Sequence, residues 1–282
     1  MPTRIERYSR GPLSFDVSDT GPLDGRPVIL LHGFPEDRHC WDAIGGSLAA
    51  AGYRVLAPDQ RGYSPGARPS GRRAYAMPEL NADVIALADT AGVDRFDVVG
   101  HDWGGAVAWD LGARHPSRVI TLTVLSTPHP RAFLASMVSS SQILHSWYMV
   151  FFQIPGLPEA MFRFGGGNQS RKSLLRAGLD ERAAERYAAR FAEPGAMTGP
   201  INWYRGLPFS SREPSPNVTV PTMYVWSDGD SFLTRKAADL TARYVDGPYT
   251  FEVLDGENHW LPERAADRVS DLLLKHLAST AG

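Results

Sequence analysis

The sequence predicts an α/β protein, a mostly parallel twisted sheet flanked by helices on both faces and interrupted by a mainly helical insertion. Three observations lead there. Short unbroken apolar runs such as Val28-Ile29-Leu30-Leu31 alternate with helical segments, the pattern of parallel strands covered on both sides. The alternation stops from about Pro128 to Pro216, where aromatic and helical residues dominate, and resumes at Thr222. Between those points, Phe96-Asp97-Val98-Val99-Gly100-His101-Asp102-Trp103-Gly104-Gly105 reads as a strand, a sharp turn and a helix. The chain is therefore divided into a first core part (1–130), a helical cap (131–216) and a second core part (217–282).

In chain order, Ile5 to Tyr8 and Leu13 to Val17 are short strands separated by the turn sequence Ser9-Arg10-Gly11-Pro12, forming an antiparallel edge. The run at Val28 to Leu31 ends in His32-Gly33-Phe34-Pro35. A helix around Trp41 to Ala51 leads to the strand Tyr53 to Ala57, then to a turn-rich loop in which Asp59 and Arg61 are expected to form a structural contact. A helix from about Pro78 to Ala91 carries proline in its first turn, where the missing N–H costs nothing. Gly104 to His115 is the helix behind the sharp turn, and Val119 to Leu125 is the next buried strand. In the insertion, Gly165-Gly166-Gly167-Asn168 and Glu193-Pro194-Gly195 mark loops, and Pro208 to Pro216 is a return linker. Thr222 to Trp226, a helix near Lys236 to Tyr244 and Tyr249 to Val253 restore the alternation. A last helix lines one face with Ala265, Val269, Leu272, Leu273 and Leu277.

With 282 residues, 43% of them hydrophobic and 21% charged, the chain is long enough to bury a large core. A formal net charge of -2 gives no reason to expect nucleic acid or an anionic membrane surface. The single cysteine, Cys40, excludes an internal disulfide, and no Cys/His pair has zinc spacing, so neither metal nor cofactor is expected. The N-terminus lacks an apolar signal core, and nowhere do ~18 uninterrupted apolar residues occur, so a cytoplasmic location is expected.

In an open parallel sheet, ligands meet the loops beyond the carboxyl ends of the strands. Three such segments follow one another: the sharp turn with Asp102, Ser227-Asp228-Gly229-Asp230, and Gly256-Glu257-Asn258-His259-Trp260. Nucleophile, acid and histidine in that order, with small residues around the turn, form the pattern of the α/β-hydrolase fold, here with aspartate where serine is usual. Together with His32-Gly33-Phe34-Pro35, these motifs resemble those of the epoxide hydrolases of that superfamily over nearly the whole chain. The resemblance implies Asp102 as nucleophile, Asp230 as acid and His259 as base, with Asp228 a rival for the acid. It also implies a cis bond before Pro35, and the backbone N–H groups of Phe34 and Trp103 as an oxyanion hole.

A carboxylate needs no deprotonation and attacks saturated carbon directly, whereas its attack on an ester or amide carbonyl gives an unstable anhydride. That leaves epoxides and alkyl halides. Tyr148 and Tyr204 lie in segments similar to those carrying the ring-opening tyrosines of epoxide hydrolases, and Trp147, Phe151, Phe152 and Trp203 are expected to form an apolar pocket. The alternative is a haloalkane or haloacetate dehalogenase. Phe34 stands where haloalkane dehalogenases commonly place a halide-binding asparagine, although some use a tryptophan elsewhere and Trp103 serves either reading, and the arginines that follow the nucleophile in haloacetate dehalogenases are missing. His101 is expected to be a packed or hydrogen-bonded neighbour of the nucleophile. The expected partner is a small apolar epoxide, with no nucleic acid and no membrane, bound by a monomer or homodimer.

Overall fold

The computed structural model of this chain describes residues 3–164, 167–193, 195–210 and 213–280. Strands β1 (Arg7–Arg10), β2 (Leu13–Thr20), β3 (Pro27–Leu31), β4 (Arg54–Pro58), β5 (Phe96–His101), β6 (Val119–Leu125), β7 (Thr222–Ser227) and β8 (Tyr249–Leu254) form one sheet in the order β1-β2-β4-β3-β5-β6-β7-β8. β2 runs antiparallel to β1 and β4, and every other neighbouring pair is parallel. Helices α1 (Asp42–Ala50), α2 (Met77–Thr90) and α3 (Trp103–Arg114) follow β3, β4 and β5. Between β6 and β7 come α4 (Pro130–Ser139), α5 (Gln142–His145), α6 (Trp147–Phe151), α7 (Leu157–Arg163), α8 (Asn168–Arg176), α9 (Glu181–Ala192) and α10 (Thr198–Gly206). The remaining helices are α11 (Arg235–Thr241), α12 (Leu261–Arg264) and α13 (Ala266–Ala278). Of the loops expected in the insertion, Gly165, Gly166 and Pro194 lie outside the described residues, as do residues 211–212 of the return linker.

Successive strand side chains point to opposite faces, so each apolar run feeds two cores. Val28 and Leu30 of β3 join Val55, Val99 and Val225 beneath α1 and α13, whereas Ile29 and Leu31 join Leu56, Val98, Val124 and Tyr224 on the side of α2, α3 and the cap. On α13, Val269, Leu273 and Leu277 recur at helical spacing and are wholly buried. Leu272, expected on the same face, is only half-buried, and Ala265 is buried just ahead of the helix. The expected Asp59–Arg61 contact gives way to partners from other elements. Asp59 takes the Arg38 guanidinium at 2.6 Å, and Arg61 forks onto Asp83 of α2 at 2.6 and 2.7 Å. These buried pairings join segments distant in sequence, which a reading confined to one loop does not see.

The sheet brings the carboxyl ends of β3, β5, β7 and β8 to one edge, and glycines let their loops close on one another. A Cβ on Gly104 would lie 2.0 Å from the Leu31 carbonyl oxygen, and one on Gly100 would lie 2.2 Å from that of Gly104. Backbone stands on both sides, so neither position has a flexible neighbour that yields. Gly46 of α1, by contrast, meets nothing within 4 Å. Gly104→Ala should therefore cost at least about 3 kcal/mol in chemical denaturation, at the upper end for overpacking. Gly46→Ala should gain about 0.5–1 kcal/mol from helix propensity. A neutral Gly104→Ala contradicts the close approach of α3 to β3.

Candidate active site

Asp102 sits between β5 and α3 with φ 49° and ψ -117°, a backbone conformation that a residue with a side chain occupies only under strain, at about 1–3 kcal/mol. The surroundings hold it there. A Cβ on Gly33 would come within 2.4 Å of the Asp102 Cβ, so the loop after β3 lies directly against the turn. In that loop the Phe34 N–H donates to Asp102 Oδ1 at 2.7 Å, and the Phe34–Pro35 peptide bond is cis. Trp103, the other expected N–H donor, is the first residue of α3.

Asp230, in the loop after β7, is fixed at both carboxylate oxygens. Oδ1 accepts the backbone N–H groups of Phe232 and Leu233 at 2.7 and 3.0 Å, and Oδ2 lies 2.8 Å from His259 Nδ1. The rival Asp228 is exposed and accepts the Gly256 N–H instead. The His259 Nε2 lies 3.6 Å from Asp102 Oδ2, so the imidazole stands between two carboxylates. Its ring is walled by Phe232 and Trp260, with centroids at 4.9 and 5.1 Å.

Burial alone disfavours charge on both groups, but each stabilises the other's charged form. Burial pulls His259 down, yet the Asp230 charge, the hydrogen bond to Asp230 and the nearby Asp102 charge carry it up to about 10. Burial pushes Asp102 up, and the close approach of His259, the His259 and His101 charges and the Phe34 N–H more than offset it, leaving the carboxyl below its usual range. The two flanking carboxylates thus favour the imidazolium form of His259.

Below the imidazole, His101 is wholly buried and hydrogen-bonded. Its Nε2 lies 2.8 Å from the His259 carbonyl oxygen, which can only accept, so that nitrogen carries the proton. Its Nδ1 lies 2.8 Å from Glu36 Oε2, which also takes the Gly33 N–H at 2.7 Å. Ser126, at φ 66°, donates its hydroxyl to the same His259 carbonyl at 2.9 Å. Glu36 and Ser126 escaped the sequence reading. An acid after Pro35 looks like any loop residue until its complete burial is seen, and nothing in the sequence marks the positive φ of Ser126.

A cavity of about 250 Å³ opens onto Asp102. Tyr148, Tyr204, Trp103, Phe133, Met149 and Phe232 line it, and among the described residues no cationic side chain does. The two tyrosine rings are 5.9 Å apart, and Tyr204 packs edge-on against Trp103 and Phe34. Burial, reinforced by the Asp102 charge, pushes both phenols above their ordinary value, so they keep their protons. The four aromatics expected in the pocket wall lie elsewhere. Phe152 and Trp203 are buried behind it, Phe152 against Phe34 and Tyr204, and Trp203 against Trp103 with its indole donating to the Arg61 carbonyl. Phe151 packs partly buried on Phe152, and Trp147 is 65% exposed. A larger groove of about 400 Å³ between α2 and α3 contains neither Asp102 nor His259. Among the described residues no group of three or more His, Cys, Asp or Glu side chains is arranged to hold a metal ion.

Residues 26–265 match the family model described as alpha/beta hydrolase fold. The chain is 36% identical over 274 residues to the AB hydrolase superfamily protein YfhM of Bacillus subtilis, covering 94% of each chain. It is 33% identical over 303 residues to Epoxide hydrolase A of Mycobacterium tuberculosis, covering 93% of each. Among solved structures, the crystal structure of Epoxide Hydrolase A from Mycobacterium thermoresistibile superposes with a TM-score of 0.84 at 26% identity, over 99% of this chain and 98% of that one. The match across the core and the coverage of these relatives place the chain in a known family: it belongs to the α/β-hydrolase superfamily and is a hydrolase.

Proposed function

We propose that this hydrolase is an epoxide hydrolase that opens an oxirane to a vicinal diol through a covalent ester on Asp102. The observation that carries the reading is one cavity lined by the Asp102 carboxylate and two protonated phenols, with an imidazole–carboxylate pair whose Nε2 lies 3.6 Å from that carboxylate. The relatives and structures named epoxide hydrolases support the same substrate class.

In the first step Asp102 Oδ2 attacks an oxirane carbon, the C–O bond breaks, and the departing oxygen takes a proton from Tyr148 or Tyr204. Oδ1, already hydrogen-bonded to the Phe34 N–H, becomes the ester carbonyl oxygen. Forming the ester removes the negative charge beside His259 Nε2, so the pKa of the imidazole falls and its proton passes, through water in the cavity, to the tyrosinate left by ring opening. Neutral His259, oriented by Asp230, then takes a proton from water as that water attacks the Asp102 ester carbon. The N–H groups of Phe34 and Trp103 receive the resulting oxyanion. Its collapse expels the alkoxide, which takes the proton left on the Asp102 carboxyl to complete the diol, returning Asp102 as carboxylate beside an imidazolium that holds the other proton of the water.

Two features favour an oxirane over a halide. Ring opening leaves alkoxide charge on an oxygen still attached to the substrate, and phenols supply the proton it needs. A halide needs no proton, and Phe34 offers no side-chain donor, which leaves the Trp103 indole as the one N–H side chain in the described lining. The described lining is almost wholly apolar apart from Asp102, Thr127 and the two phenols, in keeping with a neutral apolar substrate.

A panel of terminal, disubstituted and styrene-type epoxides should give diol, whereas alkyl halides should release no halide. Halide release without diol formation would support dehalogenation instead. Tyr148→Phe and Tyr204→Phe should each slow ester formation by about 10²-fold, the lower end for general acid catalysis. The step can be followed by intact mass in a His259→Gln background that traps the ester, and unchanged rates in both variants contradict the proton donors. His259 should titrate far above 6.5 in the resting enzyme, and Asp102→Asn, which removes one of the two flanking charges, should lower its pKa in an imidazole ¹⁵N titration. An unmoved titration removes the electrostatic switch of the base.

A further inference from the structure

The cap wears its hydrophobicity on the outside. Among the described residues the eleven large apolar side chains recorded as exposed all lie between Leu134 and Leu207, none on the core. On α4, Leu134 and Val138 stand one turn apart at 66% and 90% exposure, and on α5 and α6, Leu144, Trp147 and Val150 are 73%, 65% and 74% exposed. Three polar side chains of the same stretch point inward instead. Ser136, Gln142 and Ser146 are buried, with Gln142 bonded to Ser146 and to the Phe232 carbonyl. Apolar outside and polar inside is the inverse of a helix packed for water.

Residues 132–158 contain no Asp, Glu, Lys or Arg. α4 packs on α5 and α5 on α6, the Phe152–Phe162 ring contact carries the surface on to α7, and α7 touches α8. At that far edge stand the exposed cations Arg163, Lys172 and Arg176, in no ion pair among the described residues. The neighbouring acids Glu159 and Glu181 are taken up by Arg205 and Arg171. The whole-chain charge of -2 averages over this edge and hides it. At the other end the face reaches the candidate site, because Leu134 and Leu207 are both exposed and part of the cavity lining.

We propose that the outer face of α4–α8 docks on the surface of an anionic lipid bilayer, with the cavity rim at Leu134 and Leu207 turned toward the lipid. An uncharged apolar face with a cationic margin is complementary to hydrocarbon bordered by anionic headgroups. A protein seated over Leu134 and Leu207 would cover the cavity rim, whereas fluid lipid leaves an apolar route into it. The attachment is peripheral, since no described helix is long and apolar enough to cross a membrane. Docking stands apart from the catalytic reading and is read by binding alone.

The test is flotation of the full chain with phosphatidylcholine vesicles containing or lacking phosphatidylglycerol. The protein should float with the mixed vesicles, more weakly as salt rises, and its tryptophan emission should shift to the blue by an amount that Trp147→Phe removes. Val138→Glu, Leu144→Glu and Val150→Glu combined should lower the bound fraction at least about tenfold without moving the melting temperature, since all three side chains are exposed. The corresponding triple serine variant gives the same reading if the glutamates disturb folding. Arg163→Glu, Lys172→Glu and Arg176→Glu together should abolish the preference for phosphatidylglycerol. Wild-type protein that stays with the vesicle-free fraction, or binding indifferent to the apolar substitutions, overturns the proposal. So does a dimer in analytical ultracentrifugation that the same substitutions dissociate, which would make a second copy of the chain the occupant.

Discussion

The arrangement rests on the close approach of the loop after β3 to the turn after β5. Gly33 lies so near Asp102 that any side chain would collide with the Asp102 Cβ, and Gly104 lies equally near the end of β3. This contact lets Asp102 persist in a strained conformation and aims its carboxylate at a backbone N–H rather than at bulk water. The local strain is modest beside the surrounding buried backbone and strand contacts, which is why the fold can hold it. Loosen the loop, and both the orientation of Asp102 and the N–H at Phe34 are lost together.

The second constraint is electrostatic. A histidine buried among aromatic rings would ordinarily be neutral, and a buried aspartate would ordinarily be protonated. Placing His259 between Asp102 and Asp230 reverses both tendencies, because each charge is the other's nearest compensation. The backbone of His259 is fixed as firmly as its ring. His101 and Ser126 both hydrogen-bond its carbonyl, while the cap holds the flanking residues through the Ala177 and Gly178 carbonyls, which accept from the Trp260 indole and the Asn258 amide. The cap is therefore a structural part of the loop that carries the imidazole, as well as a roof over the cavity.

Much of this could be read from the sequence, for identifiable reasons. Runs such as Val28 to Leu31 declare a strand buried on both faces because two cores flank it, and the glycines around Asp102 declare a turn that tolerates no side chain. The convergence of Asp102, Asp230 and His259 follows from their positions at the carboxyl ends of three strands of one sheet, and Asp230, implied by the resemblance over its rival Asp228, has its side chain buried on His259 while Asp228 is exposed. Long-range pairing and the direction in which an apolar residue faces were not legible. Arg61 finds Asp83 on another element, and Glu36 gains its partner His101 only when β3 and β5 lie side by side. Aromatic content located a pocket-bearing cap but misplaced its wall, since Trp147 faces outward and Trp203 lies behind Trp103.

The central claim is that Asp102 forms a bond to substrate carbon and is itself hydrolysed. A single turnover with excess enzyme in ¹⁸O-labelled water tests this most directly. The account predicts a first diol free of solvent oxygen, with the label in the Asp102 carboxylate of the recovered peptide. A first product that already carries the heavy oxygen, beside an unlabelled Asp102, would mean that water attacks the oxirane directly and would contradict the covalent step.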